Sequence, residues 1–427
     1  MKIYCTPQQD NENKYTPNLK VVLFGKSGEK TDGHVGDLIW NEIKREKINP
    51  SLQAWDLLSI ALSVTSADYA GHRQESHDGW TRVFEMIIAV NDTNFWNAQA
   101  SLLSKLFGFL TSDRWNFTFV DGGFQPDPPK TSEIKTFDND SIVLLSGGLD
   151  SLIGIIDLIA QDHSPVAVSQ LVLGDAEKQR DFSKIFTQEV PHVQLNHNVS
   201  IPNSETPSSQ RARSIIFLAY GILIATCLKK YEKREPVTIF MCENGYISIN
   251  PPLTGMRIGS LSTRTTHPIF LKLFQELVNN AGLNVRIENP YQFLTKGQML
   301  INCFNQPLLK QHAYKSTSCG RHKRHGHKHC GRCIPCLVRR AAFKTWGVTD
   351  QTYYIYDDLS INSPNHSQFD DVKSIAIAIK ELENTGIDRW IGAHLNTAIL
   401  GDTANYKNTV QEGLNELKML LQAYSII

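Results

Sequence analysis

The chain has 427 residues, 43 Lys and Arg balanced by 43 Asp and Glu, and 41% hydrophobic residues. That length supports two or three domains around a sizeable core. A formal net charge of zero argues against a dedicated duplex-DNA or polyanion binder, whose footprint would be strongly basic. Apolar stretches such as Ile215–Cys227 are too short to span a membrane, and the first residues hold no long hydrophobic region. A cytoplasmic protein with no membrane partner is expected. Residues 1–135 read as an N-terminal α+β domain, with strand-like runs at Leu19–Phe24, Val83–Val90 and Trp115–Val120. Helices are expected there at Ala54–Ser66 and Trp96–Leu110. Asp121–Thr131, rich in Gly and Pro, has linker chemistry.

From 136 to 348 the pattern becomes alternating βα units, with strands near 141–145, 166–173, 237–242 and 284–287. Such alternation predicts a parallel sheet with helices on both faces, and ligands beyond the carboxyl ends of the strands. Residues 349–427 read as a C-terminal helical extension without chemistry of its own, built on amphipathic stretches at Phe369–Leu382 and Thr409–Tyr424. Ser146-Gly147-Gly148-Leu149-Asp150-Ser151 lies where the first strand of the βα region hands over to a helix. Ile142–Leu145 is a short buried-strand pattern, and Leu152, Ile153, Ile155, Ile156, Leu158 and Ile159 follow at mainly helical spacing. Glycines let backbone N–H groups approach an anion, and the helix dipole adds partial positive charge. No Walker A pattern is present.

Cys319, Cys330, Cys333 and Cys336 give C-x10-C-x2-C-x2-C. Four thiolates at this spacing suit tetrahedral Zn²⁺ in a closed structural site. With eight cysteines in 427 residues, reduced thiols are expected rather than a disulfide framework. An iron–sulfur cluster is the smaller alternative. His322, His325, His327 and His329 stand in the intervening loop as competing ligands. The basic loop Arg321–His329 is read as a solvated excursion, with contact to an anionic partner or nucleic acid as the alternative.

The hexapeptide matches the PP-loop of N-type ATP pyrophosphatases, which split ATP between its α and β phosphates. Together with the cysteine cluster and the Cys336-Leu-Val-Arg339-Arg-Ala-Ala-Phe343 run, it resembles the 7-cyano-7-deazaguanine synthase family. Arg211-Ala-Arg213-Ser214-Ile-Ile-Phe217-Leu218 and Asn289-Pro290…Thr295-Lys296-Gly297 echo two further family elements. The resemblance covers about half the chain. It implies a Rossmann-like adenine-nucleotide hydrolase core, ATP, Mg²⁺ and Zn²⁺ as cofactors, and a deazapurine-like substrate. Family members activate a carboxylate with ATP and add ammonia. Leu145, Ser146, Gly147, Gly148, Leu149, Asp150 and Ser151 would hold the nucleotide, with Arg211, Glu243 and Asn244 beside them. Asp150 would place Mg²⁺. Asp150, Ser151, Lys296 and Arg213 are the candidate catalytic residues.

This chain departs from the family pattern. Ser214 stands where Asn is usual, and Glu243-Asn244-Gly245 and Ser262–Pro268 replace the elements that lie near the nucleobase. A long chain of this layout is also similar to the synthase-like components of the Qat anti-phage defence systems. That likeness implies partner proteins of a defence operon, one of which would offer an amine as acceptor. Two alternatives remain: a non-catalytic nucleotide-sensing subunit, or an RNA-thiolating enzyme using Cys227 or Cys242.

Overall fold

The computed structural model describes residues 1–7, 15–204, 211–253, 264–366 and 370–427. Two five-stranded sheets, both parallel throughout, organise them. The first contains β1 (Lys2–Thr6), β2 (Leu19–Leu23), β3 (Gly33–Val35), β4 (Val83–Ala89) and β5 (Arg114–Val120) in the order β3-β2-β1-β4-β5. The second contains β6 (Ser141–Leu144), β7 (Pro165–Gln170), β8 (His192–Leu195), β9 (Val237–Phe240) and β10 (Val285–Glu288), ordered β10-β9-β6-β7-β8. Read in chain order, both follow the same path. A central strand comes first, two strands are added on one side, and the last two go on the other. The chain reverses direction between β1 and β4 and again between β6 and β9, and such reversals open a crevice at the strand ends.

The N-terminal half is therefore α/β, not the expected α+β mixture. The sequence pattern concealed this because β1 and β3 are five and three residues long. The expected Trp96–Leu110 helix is divided, into Thr93–Ala98 and Ala100–Thr111, with Gln99 between them. The start of the expected Phe369–Leu382 helix falls outside the described residues, as do Ser262 and Thr263; the helix is described over Asp371–Thr385.

The two sheets share one core. The helix Leu52–Ala70 is buried on nearly every side, because it packs on β2–β4 of the first sheet and on the helix Arg213–Ala225. That second helix lies in turn on β6, β7 and β9. A helix apolar all round belongs inside a protein. Its three serines meet the requirement that buried hydroxyls be bonded. Ser59, Ser63 and Ser66 donate to the carbonyls of Trp55, Ser59 and Leu62 at 2.9, 2.7 and 2.8 Å. The other face of the second sheet is covered by Leu149–Ala160 and by the short helices Lys296–Asn302 and Gln306–His312. Among the described residues, no helix is long and apolar enough to cross a membrane.

His267 starts the helix Pro268–Asn280, its Nδ1 accepting from the Ile269 N–H at 3.2 Å. Burial, aided by Arg264, pushes its pKa down to about 3. Below its unfolded value of about 6.5 the unfolded chain takes up a proton that the folded protein refuses. Stability should therefore fall as pH drops from about 6.5 toward 3, by an order of a few kcal/mol from this site. Urea midpoints measured between pH 7 and 4.5 check this. In His267→Asn, which retains a capping acceptor, the slope should flatten.

Candidate active site

The Ser146–Ser151 loop occupies the end of β6 at the crevice opposite β9. Gly147 adopts φ +84°, which an L side chain rarely takes, and its Cβ position faces Asp175 and Gln179. Gly148 N–H donates to Ser146 Oγ at 3.2 Å. Ser151 Oγ donates to the Gly148 carbonyl at 3.0 Å and lies 3.1 Å from Ser146 Oγ. No side chain caps the helix Leu149–Ala160 that follows. Its first N–H groups are thus left for an anion, as a phosphate cradle requires. Ser146 is exposed, whereas Asp150 and Ser151 are buried.

Asp150 anchors a buried polar cluster. Lys296 Nζ lies 2.6 Å from Asp150 Oδ1, and Asn244 donates to Oδ2 through Nδ2 at 2.8 Å and through its backbone N–H at 3.2 Å. At that distance the ammonium neutralises Oδ1 directly. Each partner is locally fixed. Thr295 and Gln298 form a capping box that sets Lys296 at the first turn of Lys296–Asn302. Asn244 caps Gly245–Ile249 with its oxygen, leaving its amide N–H for Asp150. Burial alone would raise the Asp150 pKa, but Lys296, Glu243 and Asn244 hold it at about 2. Burial and the Asp150 charge push Glu243 well above the usual carboxylate range. Two carboxyl groups thus crowd one ammonium, which disfavours ionising both. Two buried carboxyl groups side by side, Asp150 and Glu243, are an oxygen donor set that fits a hard divalent cation such as Mg²⁺.

The structure brings Leu145 to Ser151, Lys296, Glu243 and Asn244 together. Arg213 stands further along the rim. Its Nε donates to Gln170 Oε1 at 3.2 Å, and Gln179 Nε2 bridges the Gln170 and Ser146 carbonyls at 3.1 and 3.3 Å. Arg211 is not part of this cluster. Its Nη1 donates to the Thr111 carbonyl at 2.7 Å, its guanidinium lies over Trp80, and Asp68, next to it, accepts the Ala212 N–H at 3.1 Å. Burial and Arg73 lower its pKa to about 10. Here Arg211 locks the start of the helix Arg213–Ala225 onto the N-terminal half.

Cys227 and Cys242 are buried, and burial raises both thiol pKa values, Cys227 to about 12. Neither has the thiolate character that sulfur transfer needs.

The four zinc-type cysteines do converge. Their sulfurs all lie within 4.8 Å of one another, with Cys319 to Cys333 and Cys330 to Cys336 each at 3.9 Å. A tetrahedral Zn–S bond of about 2.3 Å demands an S···S edge of about 3.8 Å. A disulfide would need about 2.05 Å. Backbone N–H groups of Arg321 and Cys330 point at Cys319 Sγ, both at 3.4 Å, and that of Cys333 points at Cys330 Sγ at 3.3 Å. Among the described residues no histidine joins the set. His329 Nε2 instead accepts from the Ser318 N–H at 3.1 Å.

This knob grips the Ser146–Ser151 loop, a link that the sequence reading missed. Thr317 N–H donates to the Gly147 carbonyl at 3.0 Å, and Thr317 pairs with Gly148 as an isolated parallel bridge. Thr317 Oγ1 donates to Asp175 at 2.8 Å and accepts from Lys178 Nζ, which puts a cation beside the loop. Arg339, fully buried, holds the approach to Thr317 by donating to Ala313 O at 2.9 Å and Ser316 Oγ at 2.8 Å. The C-terminal helix Ala404–Ala423 contributes too. Its buried Glu416 accepts from Thr295 Oγ1 and, at 3.3 Å, from the Gly297 N–H. A Cβ at Gly297 would strike that carboxylate. The extension thus supports Lys296 from behind.

The described residues thus place a glycine turn at the switch point of a parallel α/β sheet, held by a four-cysteine knob. Residues 265–347 match the family model described as queuosine biosynthesis protein QueC. The chain is 26% identical over 252 residues to 7-cyano-7-deazaguanine synthase of Leptospira interrogans, spanning 52% of this chain and 93% of that one. To the synthase of the same name from Acetivibrio thermocellus it is 26% identical over 241 residues, 50% of this chain and 97% of the relative. A third, from Sinorhizobium fredii, is 24% identical over 234 residues, 50% and 91% respectively. The relationship is distant and spans about half of this chain.

Proposed function

We propose that this protein uses ATP and Mg²⁺ to adenylate a carboxylate, one carried by a 7-deazaguanine-like base, for attack by an amine. A carboxylate resists nucleophiles because of resonance and negative charge. Joining it to AMP supplies a leaving group and expels pyrophosphate, after which the amine displaces AMP. Such a reaction asks the protein mainly for positioning and charge neutralisation. The reading rests chiefly on the uncapped helix start beside the Asp150–Lys296 pair, a phosphate cradle next to a cation site. When bound, Mg²⁺ would neutralise phosphate charge, and Asp150 and Glu243 would hold it. Gly147, Gly148 and Ser151 would grip the departing pyrophosphate, with Lys178 and Arg213 at the rim. Zn²⁺ at the four cysteines would be structural.

The long layout, similar to defence-system synthases, supports a role in anti-phage defence. There the amine is either ammonia or an amino group of a partner protein. The test is direct. Protein incubated with ATP, Mg²⁺, 7-carboxy-7-deazaguanine and ammonium should release AMP and pyrophosphate in equal amounts. Failure to release them with that acid, and with any carboxylated deazapurine combined with co-purified partners, would refute the reading.

A further inference from the structure

Overall neutrality conceals a segregation of charge. Between Asn289 and Gly347 there is no Asp or Glu, while eleven Lys and Arg fall in that stretch. Four of them, Lys296, Arg332, Arg339 and Arg340, turn inward and pair with Asp150, Asp370, Asp350 and Asp357. Lys315, Lys323, Arg324 and Lys328 are exposed and have no ion-pair partner among the described residues. They sit on the zinc-type knob, Lys323 and Arg324 in its turn His322–His325, and internal bonds bring the segments that carry Lys315 and Lys328 together. Arg339 Nη2 joins Ala313 O to Thr352 Oγ1 at 2.9 and 2.8 Å, and His329 pairs with Tyr354. The segments 313–318, 327–329 and 352–354 therefore converge. Two tyrosines stand among the cations. Tyr353 is 66% exposed and Tyr314 39%. Lys328 Nζ lies 5.6 Å from the Tyr353 ring centre and Lys315 Nζ 5.8 Å from that of Tyr314. The His327 ring rests on Gly174, so the face abuts the mouth of the PP-loop.

We infer that this face binds single-stranded nucleic acid, the lysines and Arg324 taking phosphates and the two tyrosines stacking on bases. Unpaired cations alone would suit any polyanion. Exposed rings interleaved with them are the arrangement that stacks unpaired bases. An acidic peptide would make no use of the rings. This activity is separate from carboxylate activation and stands or falls without it.

The experiment uses the full zinc-loaded chain and a fluorescently labelled 20-nucleotide single-stranded RNA, followed by anisotropy from 50 to 200 mM KCl. Four or five neutralised phosphates predict that affinity falls on the order of a hundredfold across that range. K315E/K323E/R324E/K328E should remove most of the salt dependence. Y314A/Y353A should weaken binding at least about tenfold while keeping the slope. Zinc content and melting temperature show that both variants are folded, and a milder K323Q/K328Q variant should lose an intermediate amount. Absence of binding at 50 mM KCl would overturn the inference. So would an unchanged affinity in the charge-reversed protein, or equal competition by polyglutamate, which would indicate an acidic protein partner instead.

Discussion

Asp150→Asn is expected to reduce pyrophosphate release on the order of a hundred- to a thousandfold, the usual cost of losing one charge-stabilising group in a preorganised site. The substitution keeps the side chain's shape but removes the charge that Lys296 faces at 2.6 Å. It also brings an amide N–H toward an ammonium or toward the Asn244 donors, all of which already donate. Cation binding should weaken in parallel, whereas ATP should still bind through the glycine turn. Single-turnover release of labelled pyrophosphate, combined with equilibrium ATP binding, separates the two effects. A variant that keeps full biological function while binding ATP without cleaving it would identify a nucleotide sensor and remove the enzyme reading.

The second large effect concerns the four cysteines. Removing the bound metal, by chelation or by Cys330→Ser, should do more than loosen a surface knob. Structural zinc contributes on the order of 10 kcal/mol to folding of its own module. Here Thr317, two residues before Cys319, is bonded to Gly147 and Gly148. Metal loss is therefore expected to raise hydrogen exchange at Thr317 and along the PP-loop and to weaken ATP binding, with β1–β5 unaffected. Elemental analysis should give one zinc per chain, and a colourless protein would exclude an iron–sulfur cluster. Unchanged exchange at Thr317 after complete metal removal would show that the knob and loop are independent.

What could be read from residues alone was whatever is local. The phosphate loop declares itself through a continuous apolar run, a glycine pair and a helical period within about twenty residues. Closely spaced thiols are legible for the same reason. The parallel first sheet was not, because β1 and β3 are too short to show a period and because Leu52–Ala70 is apolar on all sides. Arg211 resembled a phosphate ligand by position in a motif, yet its surroundings include Thr111 and Trp80, about a hundred residues or more away. Lys178 gave no signal in its polar helix Ala176–Ser183; only the approach of Thr317, 139 positions later, makes it a rim cation. Glu416 was hidden in an amphipathic helix whose function depends on what lies opposite it.

Sharing one buried helical layer between two sheets has a practical consequence for anyone who would dissect this molecule. Cutting near residue 135 would strip the helix Arg213–Ala225 of its cover from Leu52–Ala70 and leave a bare hydrocarbon surface on either fragment. Neither piece should stay in solution by itself, and co-expression of both should rescue what separate expression cannot.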